Sequence, residues 1–563
     1  MRRFLSRWQV VSTRKKIEAI ALVSLLVLGG LTLKPAARSN ARSISTSPNE
    51  REKVQATSTA RILQRQKQER QIRPENYDFE QFPVGADHEQ HWKHLLWTTA
   101  IVEPKQPFVV EALNRILAMT TRSGLTDAQT RTVDMAMKVA NQLYLDDPTF
   151  YGAIGQRFLD AIAQSPDPEW VAKSLSSLAK GGMQPSELQR LAEKAKARFP
   201  QWSSNVVLQT TLIDIANSAD TQSLPPLKDL LKWEVADQQL HLYVLCRSDR
   251  RILCRAILKD RNGQWVRREG KLWSVSLLLE SIHGLNWNFT RGQTPQGIYR
   301  IESVVPAAED EFFRAYGQFD LVNLFVPFEA GAKQFIPDTP GTFSGSLDQY
   351  QSLLPPSWRA YRPLQQTYWA GKAGRSLFRI HGSGESADFF RGKDKNYPDS
   401  YNWNPTLGCL SAQELYSEKG KLLHADMPKV LQALKMVGGK NFAGYLVVVD
   451  VPTSEKKPIA LETIETVIAT RSTKKVSAIA KKSAPPKRSR SVPSLKPVSL
   501  KQPDALKSSS QIMAVRVTTP AGIAPDRSNR LNDSPGATLT LPSNNPPATS
   551  PAIAPLTSLP LSY

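Results

Sequence analysis

The sequence predicts a multidomain protein: an N-terminal membrane or signal helix, an all-α domain, a mostly-β domain and a disordered C-terminal tail. Three observations predict it. Six cations (Arg2, Arg3, Arg7, Arg14, Lys15, Lys16) precede an apolar run over 19–33; the apolar period is helical up to about Trp233 and near two beyond it; and from Thr453 the chain turns rich in Lys, Ser, Ala and Pro. The corresponding divisions are 1–34, a polar linker at 35–77, 78–232, 233–452 and 453–563. A chain of 563 residues with 40% hydrophobic content is long enough for two or three cores, while its 40 prolines and weakly apolar end mark a part that buries too little surface to fold.

Basic residues before a short apolar stretch make a signal peptide or an uncleaved anchor, which leaves the rest of the chain outside the cytoplasm. The run is about 15 residues, short of a comfortable span, so cleavage near Ala37 or Ala41 stays open beside an anchor. The expected location is the cell envelope, with the folded part periplasmic or otherwise extracytoplasmic. Residues 35–77 are charged and almost without aromatics, as in a linker, with room for a solvated helix near 50–71.

The helical region shows its starts. Thr126 and Gln129 have capping-box spacing, and Asp147-Pro148 and Asp167-Pro168 set a capping carboxylate before a first-turn proline. Val171, Leu175 and Leu178 share one face of a helix that Gly181-Gly182 stops, and 183–199 and 206–218 repeat the pattern. A core-forming domain that also binds a protein partner is the expectation. Beyond Trp233, Leu240, Leu242, Val244 and Cys246 alternate with His241, Tyr243 and Leu245, and a second apolar run follows the turn at Ser248-Asp249, which predicts a hairpin. Further strands are expected at 272–279, 297–304, 321–328, 377–381 and 442–451, with a helix at 427–436. Prolines in 330–374 predict an irregular insertion beside the site.

A formal charge of +22 favours acidic partners. In an exported chain these are wall polymer or lipid headgroups, not nucleic acid, and the basic clusters of the tail (Lys474-Lys475, Lys481-Lys482, Lys487-Arg488) fit the same reading. Three cysteines are too few for a disulfide scaffold. Cys246 and Cys254 read first as buried small hydrophobes and second as a disulfide. Without a Cys-x-x-Cys pair or a His-Glu-x-x-His run, no metal and no organic cofactor are expected.

The chemistry centres on Cys409 in Asn404-Pro405-Thr406-Leu407-Gly408-Cys409-Leu410, with His381 upstream in Phe378-Arg379-Ile380-His381-Gly382-Ser383. Glycine beside a cysteine lets backbone N–H groups crowd the sulfur, and an imidazole takes its proton: a nucleophile, a base and an oxyanion site. His283, followed by Gly284, reads as structural. The stretch 384–403 between base and thiol is rich in charge and aromatics, and reads either as a lid or as a plain surface loop.

Thr294-Pro295-Gln296-Gly297-Ile298-Tyr299, then Ile380-His381-Gly382-Ser383, then Thr406-Leu407-Gly408-Cys409-Leu410 resembles, in order, the three motifs of the L,D-transpeptidase (YkuD-type) catalytic domain. The resemblance covers 233–452 and implies a β-sandwich with short helices. It implies Cys409 as nucleophile, His381 as general base, Gly408 as oxyanion-hole backbone, and Gly382, Ser383, Thr406 and Leu407 against substrate. The reaction it implies joins peptidoglycan stem peptides through a cysteine thioester. Leu407 stands where many members carry His, Ser411 where Arg or Asn is common, and 27 residues separate His381 from Cys409, more than the family's usual spacing. Two other classes fit the same residues: a catalytically degenerate peptidoglycan-binding scaffold, and a cell-wall Cys/His amidase, although amidases of that type usually place Cys before His.

Overall fold

The alternating apolar segments after residue 239 fold so that one set of side chains faces inward and the other is covered from outside. In the computed structural model, which describes residues 57–218, 222–307, 317–383, 399–400, 402–453 and 455–469, twelve strands follow one another: β1 (Leu240–Cys246), β2 (Cys254–Lys259), β3 (Arg267–Arg268), β4 (Lys271–Leu272), β5 (Ser274–Leu278), β6 (Gly297–Val305), β7 (Leu321–Phe325), β8 (Phe378–His381), β9 (Leu410–Ala412), β10 (Glu414–Tyr416), β11 (Leu422–Ala425) and β12 (Ala443–Asp450). Eight of them close in the order β1-β12-β6-β7-β8-β9-β5-β2.

The expected β-sandwich is therefore corrected to a closed barrel. Alternation along each strand suits either architecture. Closure is decided by pairings between distant segments: β1 with β12 in parallel, β8 with β9 in parallel, and β5 with β9 antiparallel. Leu242, Val244, Tyr299, Ile301, Ile380 and Leu410 fill the interior. Tyr243, Leu245, Ile298, Tyr445 and Val447 face outward into a second apolar layer.

That outer layer is built by the insertion at 330–374. Phe335, Phe343, Tyr350, Trp358 and Tyr368 pack there with a short helix at Leu347–Ser352 and another at Gln366–Lys372. The insertion buttresses β6: Tyr350 Oη accepts from the Ile298 N–H at 2.8 Å and bonds Thr367 Oγ1 at 2.6 Å. Gly297 takes φ +133°, and a Cβ there would lie 2.3 Å from Thr367 Oγ1 and 2.5 Å from Tyr350 Oη, which explains the glycine of the Thr-Pro-Gln-Gly segment.

The helical part comprises α1 (Ser58–Glu69), α2 (Glu89–Val102), α3 (Pro107–Leu117), α4 (Asp127–Asp146), α5 (Gly152–Gln164), α6 (Pro168–Lys180), α7 (Pro185–Arg198), α8 (Val206–Ala216) and α9 (Leu227–Lys232). Thr126 and Gln129 form the expected capping box, and Asp167 caps α6. Asp147 does not cap a helix; its carboxylate accepts from the Phe150 N–H at 3.0 Å in a turn, and α5 begins only at Gly152.

Three boundaries differ from expectation. The helix expected near 50–71 is α1, but it is docked, not solvated, so that 35–77 is not all linker: its Arg65 donates to the carbonyls of Ile101 and Val102, both at 3.2 Å. The tail begins folded: a helix at Leu461–Ala469 buries Ile464, and Glu465 pairs with Arg267 at 3.0 Å. The helical layer and the barrel belong to one compact unit. The membrane or signal helix expected within 1–34 lies outside the described residues, as does the tail from 470, and among the described residues no helix is long and apolar enough to cross a membrane. Cys246 and Cys254, read first as separate buried thiols, are joined in a disulfide across the β1–β2 hairpin.

Candidate active site

Between β5 and β6 the chain runs through 280–294, a connector held by the helical layer on one side and by the cysteine turn on the other. Asn141 Nδ2 donates to the His283 carbonyl at 2.6 Å, Lys180 to the Gly284 carbonyl at 2.6 Å, and Asn288 Nδ2 to Thr210 and Thr211 at 2.9 Å each. Ile282, Leu285 and Phe289 enter the helical core. His283 is buried, with Nδ1 3.1 Å from Gln142 Oε1, the structural role its sequence position suggests. On the other side, the Thr406 N–H donates to the Glu280 carbonyl at 3.0 Å and the Ile282 N–H to the Thr406 carbonyl at 2.9 Å.

Thr406 locks the turn that follows. Its Oγ1 accepts from the Gly408 N–H at 3.2 Å and donates to the Cys409 carbonyl at 2.8 Å, while Thr294 Oγ1 donates to the Gly408 carbonyl at 2.9 Å. The first and third motifs are thereby tied together. The Gly408 N–H, expected in an oxyanion hole, already has Thr406 as its partner. Leu407 packs against the helical core, so the position that departs from the family pattern is an anchor. Gly408 takes φ +121°, and a Cβ on it would lie 2.6 Å from Arg375 Nη2 and 2.9 Å from the Gly292 carbonyl.

The second motif is β8. Its parallel register with β9 sets Ile380 against Leu410 and His381 against Ser411. Since Ile380 and Leu410 fill the barrel, Arg379, His381 and Ser411 share the opposite face, while Cys409 lies in the turn just before β9. Carried one step back, the register puts Cys409 beside Arg379, which leaves roughly 8 Å between the Cα atoms of His381 on β8 and Cys409 in the turn before β9. No hydrogen bond joins them among the described residues; Sγ is 3.8 Å from the Leu377 carbonyl. His381 Nδ1 lies 2.5 Å from the Gly382 carbonyl, which puts the ring proton on Nδ1 and the basic lone pair on Nε2.

The remaining expected substrate contacts are spent on structure. Ser383 Oγ donates to the Ala412 carbonyl at 2.7 Å, and the Ser383 carbonyl accepts from Asn404 Nδ2, whose Oδ1 accepts from Arg61 of α1 at 3.3 Å. Ser411 is fully buried and its hydroxyl makes no hydrogen bond among the described residues. The stretch read as a lid or loop lies mostly outside the described residues.

Burial pushes His381 down to about 4, helped by the charge of Arg379 against the pull of the Gly382 carbonyl. Burial pushes the Cys409 thiol up; the charge and peptide N–H of Arg379 and the charge of Arg375 pull it back, and Glu329 opposes them. Both groups are therefore neutral near pH 7, a resting thiol beside a resting imidazole.

Reasoning from sequence missed Arg375 and Arg379. Arg375 is buried and donates to the carbonyls of Trp287, of Gln293 at 2.8 Å and of Gly292 at 2.9 Å, with its guanidinium 4.8 Å from the Phe378 ring centroid. The available signal was Arg379 two positions before His381 in a strand, hence on the same face. Arg375 carried no such signal, because its partners are carbonyls from a distant loop. Among the described residues no group of His, Cys, Asp and Glu is arranged to hold a metal ion. No family model, curated protein or solved structure matches the chain.

Proposed function

We propose that the protein is a peptidoglycan L,D-transpeptidase of the cell envelope, using Cys409 as nucleophile and His381 as base. The observation that carries this reading is the parallel register of β8 and β9, which brings a neutral imidazole with its proton on Nδ1 to the strand beside a thiol on a braced turn. In the proposed reaction Sγ attacks the carbonyl of the diamino-acid residue of a stem tetrapeptide while its proton passes to His381 Nε2. Collapse of the tetrahedral adduct breaks the peptide bond, and the imidazolium returns the proton to the departing D-alanine amine. The amine of a second stem peptide then attacks the thioester, releasing the thiol and closing the cross-link. With the Gly408 N–H engaged by Thr406, the oxyanion falls to the N–H of Cys409, a contribution of about 3 kcal/mol per well-aimed donor. Hydrogen bonds between base and nucleophile commonly tighten only with substrate in place.

The Cys246–Cys254 disulfide supports an oxidising compartment, consistent with an exported chain acting on stem peptides. The test is incubation of the full chain with disaccharide tetrapeptide between about pH 6 and 8, reading free D-alanine and cross-linked dimer by mass spectrometry. Both products are expected, and Cys409→Ala abolishes both together with the mass adduct formed by a carbapenem. Binding without turnover returns the scaffold reading, and cleavage without D-alanine release or dimer returns the amidase.

A further inference from the structure

We propose that Arg375 and Arg379 form a cationic cradle that carries the charge of the Cys409 thiolate, leaving His381 only the transfer of the proton. The inference rests on Cys409 as the nucleophile and goes beyond that reading in assigning what stabilises it. Arg379 occupies the strand position beside Cys409, and its single side-chain hydrogen bond among the described residues is to the Phe378 carbonyl at 2.7 Å. Arg375 lies beneath the turn, its Nη2 at 2.6 Å from where Gly408 would carry a Cβ. Its side-chain hydrogen bonds go to carbonyls alone, so the charge is solvated by dipoles and has no ion-pair partner among the described residues. A buried cation of this kind favours a nearby anion strongly, because little water is present to screen the attraction.

The charged and titratable groups around the thiol are Arg379 and His381 from β8, Arg375 from the turn before it, Glu329 from the loop after β7, and Tyr299 from β6, whose ring is in the barrel interior. Tyr299 is buried with its hydroxyl donated to the Pro295 carbonyl at 2.7 Å and stays neutral. Glu329 accepts from the N–H groups of Leu377 at 2.8 Å and Val326 at 3.1 Å. His381 resists taking a charge because it is buried next to Arg379. An imidazole that is neutral at pH 7 offers the thiolate no counter-charge, which leaves the two guanidinium groups as the cations in place.

The test is the pH profile of Cys409 alkylation by iodoacetamide in the full chain with its disulfide intact, in which the thiolate forms an S–C bond as iodide leaves. Arg379→Gln moves the profile to higher pH and slows alkylation at pH 7 roughly tenfold, whereas Arg379→Lys restores the parent profile. Glu329→Gln moves it to lower pH, an independent arm should Arg379→Gln unfold in a thermal melt. His381→Gln leaves the profile in place while ending D-alanine release. The proposal is overturned if His381→Gln shifts the profile as far as Arg379→Gln, or if neither Arg379→Gln nor Glu329→Gln shifts it. Alkylation needs no stem peptide: a shifted profile without D-alanine release sinks the transpeptidase and keeps the cradle, and the reverse pattern does the opposite.

Discussion

At Gly408 two constraints meet, a left-handed backbone and a guanidinium within 2.6 Å of the missing Cβ. Gly408→Ala therefore has to rotate the turn or displace Arg375, and a loss of about 1–3 kcal/mol is expected in chemical denaturation, with slower alkylation of Cys409. The buried histidines make a second expectation. His381 is pushed down to about 4 by burial, and His241, which accepts from the Val235 N–H at 2.9 Å, to about 3 by burial and the charges of Lys259 and Arg300. An unfolded chain titrates its histidines near 6.5, so as pH falls the unfolded state takes up protons first. Their contribution is complete above about pH 6.5 and is lost progressively down to about pH 3. Denaturation midpoints at pH 7.5, 5.5 and 4.5 should fall in that order, less steeply in His381→Gln.

The β1–β2 hairpin is the element where redox state meets stability. Its disulfide closes a separation of eight residues, and Cys246→Ser with Cys254→Ser is expected to cost about 2 kcal/mol, read as a lower denaturant midpoint that reductant no longer affects. Most strands of the barrel were legible from their apolar alternation, and β1, β6 and β12 begin and end within a residue or two of expectation. β9 was not: three residues, Leu410 to Ala412, pair with β8 and β5 only because the braced turn delivers them there. Cys409 and His381, singled out in the sequence, come from segments that the β8–β9 register brings side by side. What single-sequence reading missed depends on contacts between distant segments: closure of the barrel, the disulfide, Arg375 under Gly408, and the folded start of the tail, whose acidic Glu465 meets Arg267 only in three dimensions.

For the molecule as a whole, the division at 232/233 suggested by the change of period does not separate two independent bodies. The connector 280–294 has its apolar side chains in the helical core, and α1 reaches Asn404. A fragment of 233–452 would expose Ile282, Leu285, Phe289 and Leu407, each of which contributes up to about 2–3 kcal/mol when fully buried. We expect that fragment to be poorly soluble and rapidly proteolysed, while 57–469 gives a single cooperative melt by circular dichroism. Equal stability of the two would show that the helical layer is dispensable to the barrel.

The anchoring of Leu407 has one further consequence, in the rates at which backbone amides exchange with solvent. Turns that carry nucleophiles on a protein surface usually open on their own, at little cost in free energy. Here the amides of Thr406 and Gly408 are held by partners whose support comes from α4, α6 and α8, so they should exchange with deuterium at the slow rate of the helical interior. The cysteine turn would then be among the last segments of the molecule to breathe.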